Sequence, residues 1–105
     1  MLPKKNRYSF RGPLPKKVLN FQSFTVRFEK NDEGLKVAVV VSKRVDKRAT
    51  VRNKIKRRLL DSIRGNIKLE EPLNLIFYVK KNILNSENLE IEIQQSIEKI
   101  KTFDF

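Results

Sequence analysis

The sequence predicts a small α+β domain, with helices packed on a small, mostly antiparallel sheet. Three observations carry this. Short stretches near residues 24–28, 36–41 and 74–79 have the apolar patterning of strands, and two longer stretches repeat aliphatic residues at helical spacing. The 105 residues hold enough apolar area for one core and not for two. Residues 1–105 therefore read as one domain, without internal repeat or low-complexity linker.

Taken in order, residues 1–22 carry Pro3, Pro13 and Pro15 together with Lys4, Lys5, Arg7, Arg11, Lys16 and Lys17. Proline lacks a backbone N–H and clashes with a preceding helical turn, so this is a basic, irregular arm with room for one helical turn after Pro15. From Ser23 the pattern has period two. Phe24, Val26 and Phe28 share one face and Thr25, Arg27 and Glu29 the other, as in a half-buried strand. Asn31-Asp32-Glu33-Gly34 is turn chemistry, and Lys36 to Val41 follows as a more buried strand, so the two strands are expected to pair as an antiparallel hairpin. Asp46 is the expected N-cap of a helix reaching about Arg64, which Gly65-Asn66 would stop because glycine accepts the left-handed conformation. Asn74 to Val79 is the third strand. Behind the cap signals Asn85-Ser86, the spacing of Leu89, Ile93, Ile97 and Ile100 marks a C-terminal helix with one apolar stripe.

Composition narrows function before any motif does. The chain has 24 Lys and Arg against 12 Asp and Glu, a formal net charge of +12, and such self-repulsion favours polyanionic partners. With no cysteine and no histidine, disulfides, thiol nucleophiles, Cys/His zinc sites and imidazole bases are excluded. No tight cluster of carboxylates replaces them, which leaves little with which to cleave a substrate. The opening Met-Leu-Pro-Lys-Lys-Asn-Arg lacks the apolar core of a signal peptide, and the runs Val37 to Val41 and Leu75 to Val79 are too short to span a bilayer. A cytoplasmic protein without a membrane partner is expected.

The central helix concentrates the charge. Along Val51 to Leu59, "VRNKIKRRL", Val51, Ile55 and Leu59 recur at i+4 with Ile63 beyond them, an apolar stripe for the sheet. Lys54, Arg57 and Arg58 fall on the far side, while Arg52 and Lys56 run along the stripe's edge. Lys43, Arg44, Lys47, Arg48 and Arg52 crowd the helix N-terminus, the end whose dipole disfavours cations. A merely solvated face would place acids there and interleave Glu with Lys; only Asp46 and Asp61 break the run. Charge set against the dipole points to an anion site, where Arg forks and exposed N–H groups meet phosphate. Phosphate contacts carry no sequence information, but aromatic rings beside the cations, Phe10, Phe21 and Tyr78, suit unpaired RNA bases. Nothing forms a compact helix-turn-helix unit, which argues against duplex DNA.

The stretch Val41 to Leu59, "VSKRVDKRATVRNKIKRRL", resembles the bacterial ribonuclease P protein subunit. That family has a strand ending in Ser-Lys-Lys or similar, a turn, and a helix carrying Arg-Asn-Arg-x-Lys-Arg; here the positions read Ser42-Lys43-Arg44 and Arg52-Asn53-Lys54-Ile55-Lys56-Arg57. The opening "MLPKKNR", the strand after residue 73 and the last helix also sit where the family has them. The resemblance implies a fold like domain 2 of ribosomal protein S5, with a left-handed βαβ crossover in place of the usual hand. It implies a catalytic RNA subunit that removes the 5′ leader of precursor tRNA with Mg2+ held mainly by that RNA. The protein binds the RNA and cradles the leader.

Carried over by position, Ser42, Lys43, Arg44, Arg52, Asn53, Lys54, Lys56 and Arg57 are the expected RNA contacts. Lys47, Arg48 and Arg58 join them on charge, as do Lys4, Lys5 and Arg7 of the arm. Two departures stand out. Lys54 replaces the family's second Arg, which keeps charge but loses the planar fork. The family's first helix gives the leader two Phe residues four apart, whereas Pro13 and Pro15 interrupt that region here; Phe21, Arg27 and Tyr78 are the candidates in their place. The alternative is a small ribosomal or other structural RNA-binding protein, which would share the basic balance and the arm.

Overall fold

The computed structural model describes residues 2–81, 83 and 87–105. Strands β1 (Lys17–Asn20), β2 (Phe24–Lys30), β3 (Lys36–Val40) and β4 (Leu73–Val79) form one sheet, with helix α1 (Ala49–Asn66) between β3 and β4 and helix α2 (Leu89–Lys101) at the end. A single 3-10 turn, Lys4–Asn6, lies in the arm. The sheet order is β1-β2-β4-β3. β1 and β2 are antiparallel, as are β2 and β4, while β3 and β4 run parallel. A parallel pair needs a crossover, and α1 supplies it.

The expected hairpin between β2 and β3 does not form, because β4 lies between them. Asn31 to Gly34 still turns the chain: Asn31 Oδ1 accepts from the N–H groups of Glu33 at 3.0 Å and Gly34 at 3.1 Å. Gly34 sits at φ +102°, where a Cβ would also approach Leu69 O to 3.3 Å. The reason for the rearrangement is burial. Leu75, Ile76 and Phe77 are all fully buried, so both faces of β4 are covered, and a strand of that kind belongs inside a sheet. β3 is left at the edge, where the arm meets it through Tyr8 N–H donating to Val37 O at 2.9 Å.

Three further local expectations are corrected. The arm is not irregular throughout, nor helical after Pro15: Val18 pairs with Arg27 and Leu19 with Val26, making residues 17–20 an edge strand. Asp46 does not cap α1. The N-cap is Arg48, with no side-chain cap bond, and Asp46 instead accepts from Arg48 N–H at 2.8 Å and from its guanidinium at 3.1 and 2.9 Å. Gly65 does not stop the helix but lies within it; extended Ile67 is the C-cap. The Asn85-Ser86 signals lie outside the described residues, and α2 starts after Asn88.

Both helices cover one face of the sheet. Phe24, Val26, Phe28, Val37, Leu73, Leu75 and Phe77 form a cluster with Leu59 and Ile63 of α1 and with Leu89, Ile93, Ile97 and Ile100 of α2. The α2 stripe is the one its spacing predicts. Ser23, fully buried, ties the β1–β2 turn to α2 by donating from its N–H at 3.1 Å and its hydroxyl at 2.6 Å to the Glu92 carboxylate. The opposite face presents Thr25, Arg27, Asn74, Ile76, Tyr78, Ala38 and Val40 by strand alternation and register. No helix among the described residues is long and apolar enough to cross a membrane.

Candidate nucleic-acid interface

Helix α1 has two unlike halves. Leu59 and Ile63 are buried, but Val51 and Ile55 are only half-buried, so the stripe leaves the core as it approaches the N-terminus. That end carries no acid in its first turn and no side-chain cap, leaving N–H groups that point toward any anion placed there. Ser42, Lys43, Arg44, Lys47, Arg48, Asn53, Lys54, Arg57 and Arg58 are exposed, and Arg52 and Lys56 half-exposed. The structure thus gathers the predicted cations on one projecting end and flank.

They are not equivalent. Arg52 donates to Asp46 O at 3.1 Å and Lys47 O at 2.7 Å, so its guanidinium braces the turn before the helix. Arg48 forks onto Asp46 at 2.9 Å, and this holds the Asp46 carboxyl down at about 2. Arg58, chosen on charge, instead forks onto Glu90 of α2 at 2.9 and 3.2 Å and lowers that carboxyl's pKa. Two parallel N–H···O bonds to a carboxylate use the geometry that a phosphate would need. The side chains of Lys43, Arg44, Lys47, Lys54, Lys56 and Arg57 have no bond or ion pair among the described residues.

The arm joins this surface at one residue. Arg7, with Lys56, Arg57 and Asp61, rims a groove of about 470 Å³ floored by Leu2, Val37, Val39 and Leu60. Lys5 lies elsewhere, beside Asn6, Asp32 and Glu70. Asn6 fixes the arm: it is buried, and its Nδ2 donates to Leu35 O at 2.8 Å and Leu69 O at 3.3 Å.

Phe21, Arg27 and Tyr78 do not form one wall. Arg27 and Tyr78 share the face without helices, Arg27 donating to Pro15 O at 3.1 Å. Phe21 packs on the helix side, stacked on Phe24 at 5.2 Å, with Lys99 Nζ 5.5 Å from its ring centre. Sequence reasoning missed Tyr8. Tyr8 lines a cleft with Glu29 and Asn74, which share the sheet face of Arg27 and Tyr78; burial, then the charges of Glu29 and Tyr78, raise its phenol pKa. Phe10 meets it edge to face at 5.1 Å. The signal was the i, i+2 spacing of Tyr8-Ser9-Phe10, which puts both rings on one side of an extended chain.

A mixed α+β sheet backed by two helices, one of them carrying unpaired cations at one end, has the form and charge that suit a nucleic-acid-binding domain. The family model for ribonuclease P matches residues 5–101, and the chain belongs to this family, the protein subunits of the bacterial tRNA-processing ribonuclease P. That match does not favour the ribosomal-protein alternative. Among solved structures, the RNase P protein from Thermotoga maritima matches with a TM-score of 0.62 and 21% identity over 85% of this chain and 84% of that one. The Staphylococcus aureus RNase P protein matches with a TM-score of 0.62 and 23% identity over 82% and 81%. At these identities the likeness is one of fold. No curated protein matches the chain in sequence.

Proposed function

We propose that this chain acts in the cytoplasm as the noncatalytic partner of a catalytic RNA, helping it remove the 5′ leader from precursor tRNA. The observation that carries the reading is the set of unpaired cations at and beside the α1 N-terminus, placed against the helix dipole. A polyanion there relieves the repulsion and meets the uncapped N–H groups. Lys43, Arg44, Lys47, Lys54, Lys56 and Arg57 would contact the RNA backbone, Arg7 extending the contact along the groove. Arg52 would serve mainly by holding the turn that presents Lys47.

The leader would cross the face without helices. Arg27 offers a cation there, Tyr78 and Tyr8 offer rings, and Phe10 stands beside Tyr8. The arm would take the place of the family's first helix. Among the described residues no three carboxylates gather into a metal-holding group, so the donor set does not fit a catalytic metal, and we assign Mg2+ to the RNA. The chain's part is to position RNA, exclude slack in the leader and neutralise phosphate. The test is reconstitution of the full chain with a bacterial catalytic RNA at limiting Mg2+. A gain in precursor cleavage and affinity is expected; no gain overturns the reading.

A further inference from the structure

Residues beyond the stretch matched by the family model form a second aromatic surface. Phe103 and Phe105 follow α2 and meet the buried Phe28 edge to face at 5.2 and 5.9 Å, and each other at 5.0 Å. A residue that only covers Phe28 would be sunk against it, yet Phe103 and Phe105 stay 39% and 41% exposed. Lysines crown them: Lys17 Nζ lies 5.3 Å from the Phe103 ring centre and Lys30 Nζ 5.2 Å from that of Phe105. Phe21, half-buried under Lys99, is a third such pair. β2 runs from Phe24, stacked on Phe21, to Lys30, so the three pairs are strung along roughly 20 Å of β2 beside the edge strand β1, at about 3.3 Å per residue.

We propose that this edge holds the distal part of the 5′ leader as single-stranded RNA, its bases stacking on Phe103 and Phe105 and its phosphates drawn by Lys17, Lys30 and Lys99. The inference rests on the leader reading of the opposite face. β1 joins the two surfaces: Lys17 points to the helix side and Val18, 41% exposed, to the other, so a strand leaving Arg27 passes over β1 to reach this edge. The ligand chemistry follows from the side chains. Rings and lysines, without an Arg fork, bind any base sequence, which suits a leader that differs from one precursor to the next. The exposed acids near it in the chain are Asp32, Glu33, Glu98 and Asp104, against the exposed bases Lys16, Lys17, Lys30, Lys99 and Lys101.

The chain has no tryptophan, so Phe105→Trp gives one indole at the site. Titrating that full-length variant with a short oligoadenylate should quench its emission saturably; unchanged emission at saturation overturns the proposal, because binding through α1 would leave the indole untouched. In the holoenzyme, Phe103→Leu with Phe105→Leu keeps an apolar cover on Phe28 and removes the ring faces. Affinity for a precursor with a long leader should fall roughly tenfold or more, and affinity for one trimmed to a few leader nucleotides should hold. Equal weakening on both precursors overturns the leader assignment and moves the strand to the catalytic RNA. Lys17→Gln with Lys30→Gln should lower the salt slope for the oligonucleotide by about 1.4, at ~0.7 per single-strand phosphate. If the leader reading itself is wrong, the unaltered holoenzyme shows no preference for the long leader, a result distinct from a preference that the leucine pair leaves intact.

Discussion

Helices α1 and α2 pack on the same sheet face, yet they treat their dipoles in opposite ways. α2 opens with Glu90 and Glu92 and closes with Lys99 and Lys101, the arrangement that stabilises a helix. α1 has no acid in its first turn and is preceded by Lys47 and Arg48, the arrangement that costs stability. α2 also buries Leu89, Ile93, Ile97 and Ile100 along its whole length, whereas α1 buries only Leu59 and Ile63. One helix is built to hold the fold. The other gives up dipole and packing at one end, the end where we propose that a polyanion binds.

The largest effect that sharpens this contrast lies in α2. Ile97 is 2% exposed, and Ile97→Ala should destabilise by about 2–5 kcal/mol, the range for removing a buried aliphatic side chain. Urea unfolding reads the loss, while RNA affinity of the folded protein should stay within about twofold. A parallel fall in affinity would mean that α2 also contacts the RNA.

Arg57→Ala in α1 should do the reverse. Stability changes little, since the side chain is exposed and unpaired, while RNA affinity falls and the log–log salt slope drops by about 0.7–0.9 for the lost phosphate. An unchanged slope would return Arg57 to the solvated surface. Arg52→Ala is expected to do both at once, because its bonds to Asp46 O and Lys47 O hold the turn.

A subtler change sets the two roles against each other at a single position. Thr50 is exposed in the first turn of α1, and Thr50→Asp supplies the acid that α2 has and α1 lacks. It should stabilise the protein by about 0.3–1 kcal/mol and weaken RNA binding. If thermal unfolding and affinity move in the same direction, the dipole is not what the cations oppose.

The fold was legible where periodicity is local. The β2 alternation, the Leu89 to Ile100 stripe and the β4 run all became elements at their expected places. Strand order was not, because the turn at Asn31 to Gly34 fixes a change of direction and says nothing of whether β4 will enter between its strands. Caps failed for a related reason. Asp46 has the right side chain, but Arg48 two residues later takes its carboxylate, and a competition between two partners is not visible in spacing. Within the candidate site, charge pointed to the N-terminal end of α1. It could not separate Arg57, which is unpaired, from Arg58, whose partner Glu90 is 32 residues away.

That pair joins the two helices and yields the smallest expected effect. Arg58 and Glu90 are 47% and 54% exposed, so screening by water limits the bond to about 0.2–1 kcal/mol. Its sign with pH is set. Arg58 lowers the Glu90 pKa on folding, and Arg48 lowers Asp46 from its ordinary 3.8 to about 2; a carboxylate depressed in the folded state adds stability above its unfolded pKa, and that stability is lost as pH falls through the folded value. Unfolding followed from pH 6 down to about 2 should therefore show stability falling below pH ~4.5. In Arg58→Ala the Glu90 share of that fall disappears; in Asp46→Asn the share nearest pH 2–4 disappears. Should Arg58→Ala also weaken RNA binding as much as Arg57→Ala, the guanidinium leaves Glu90 for phosphate when RNA arrives, and the joint between the helices is one that binding opens.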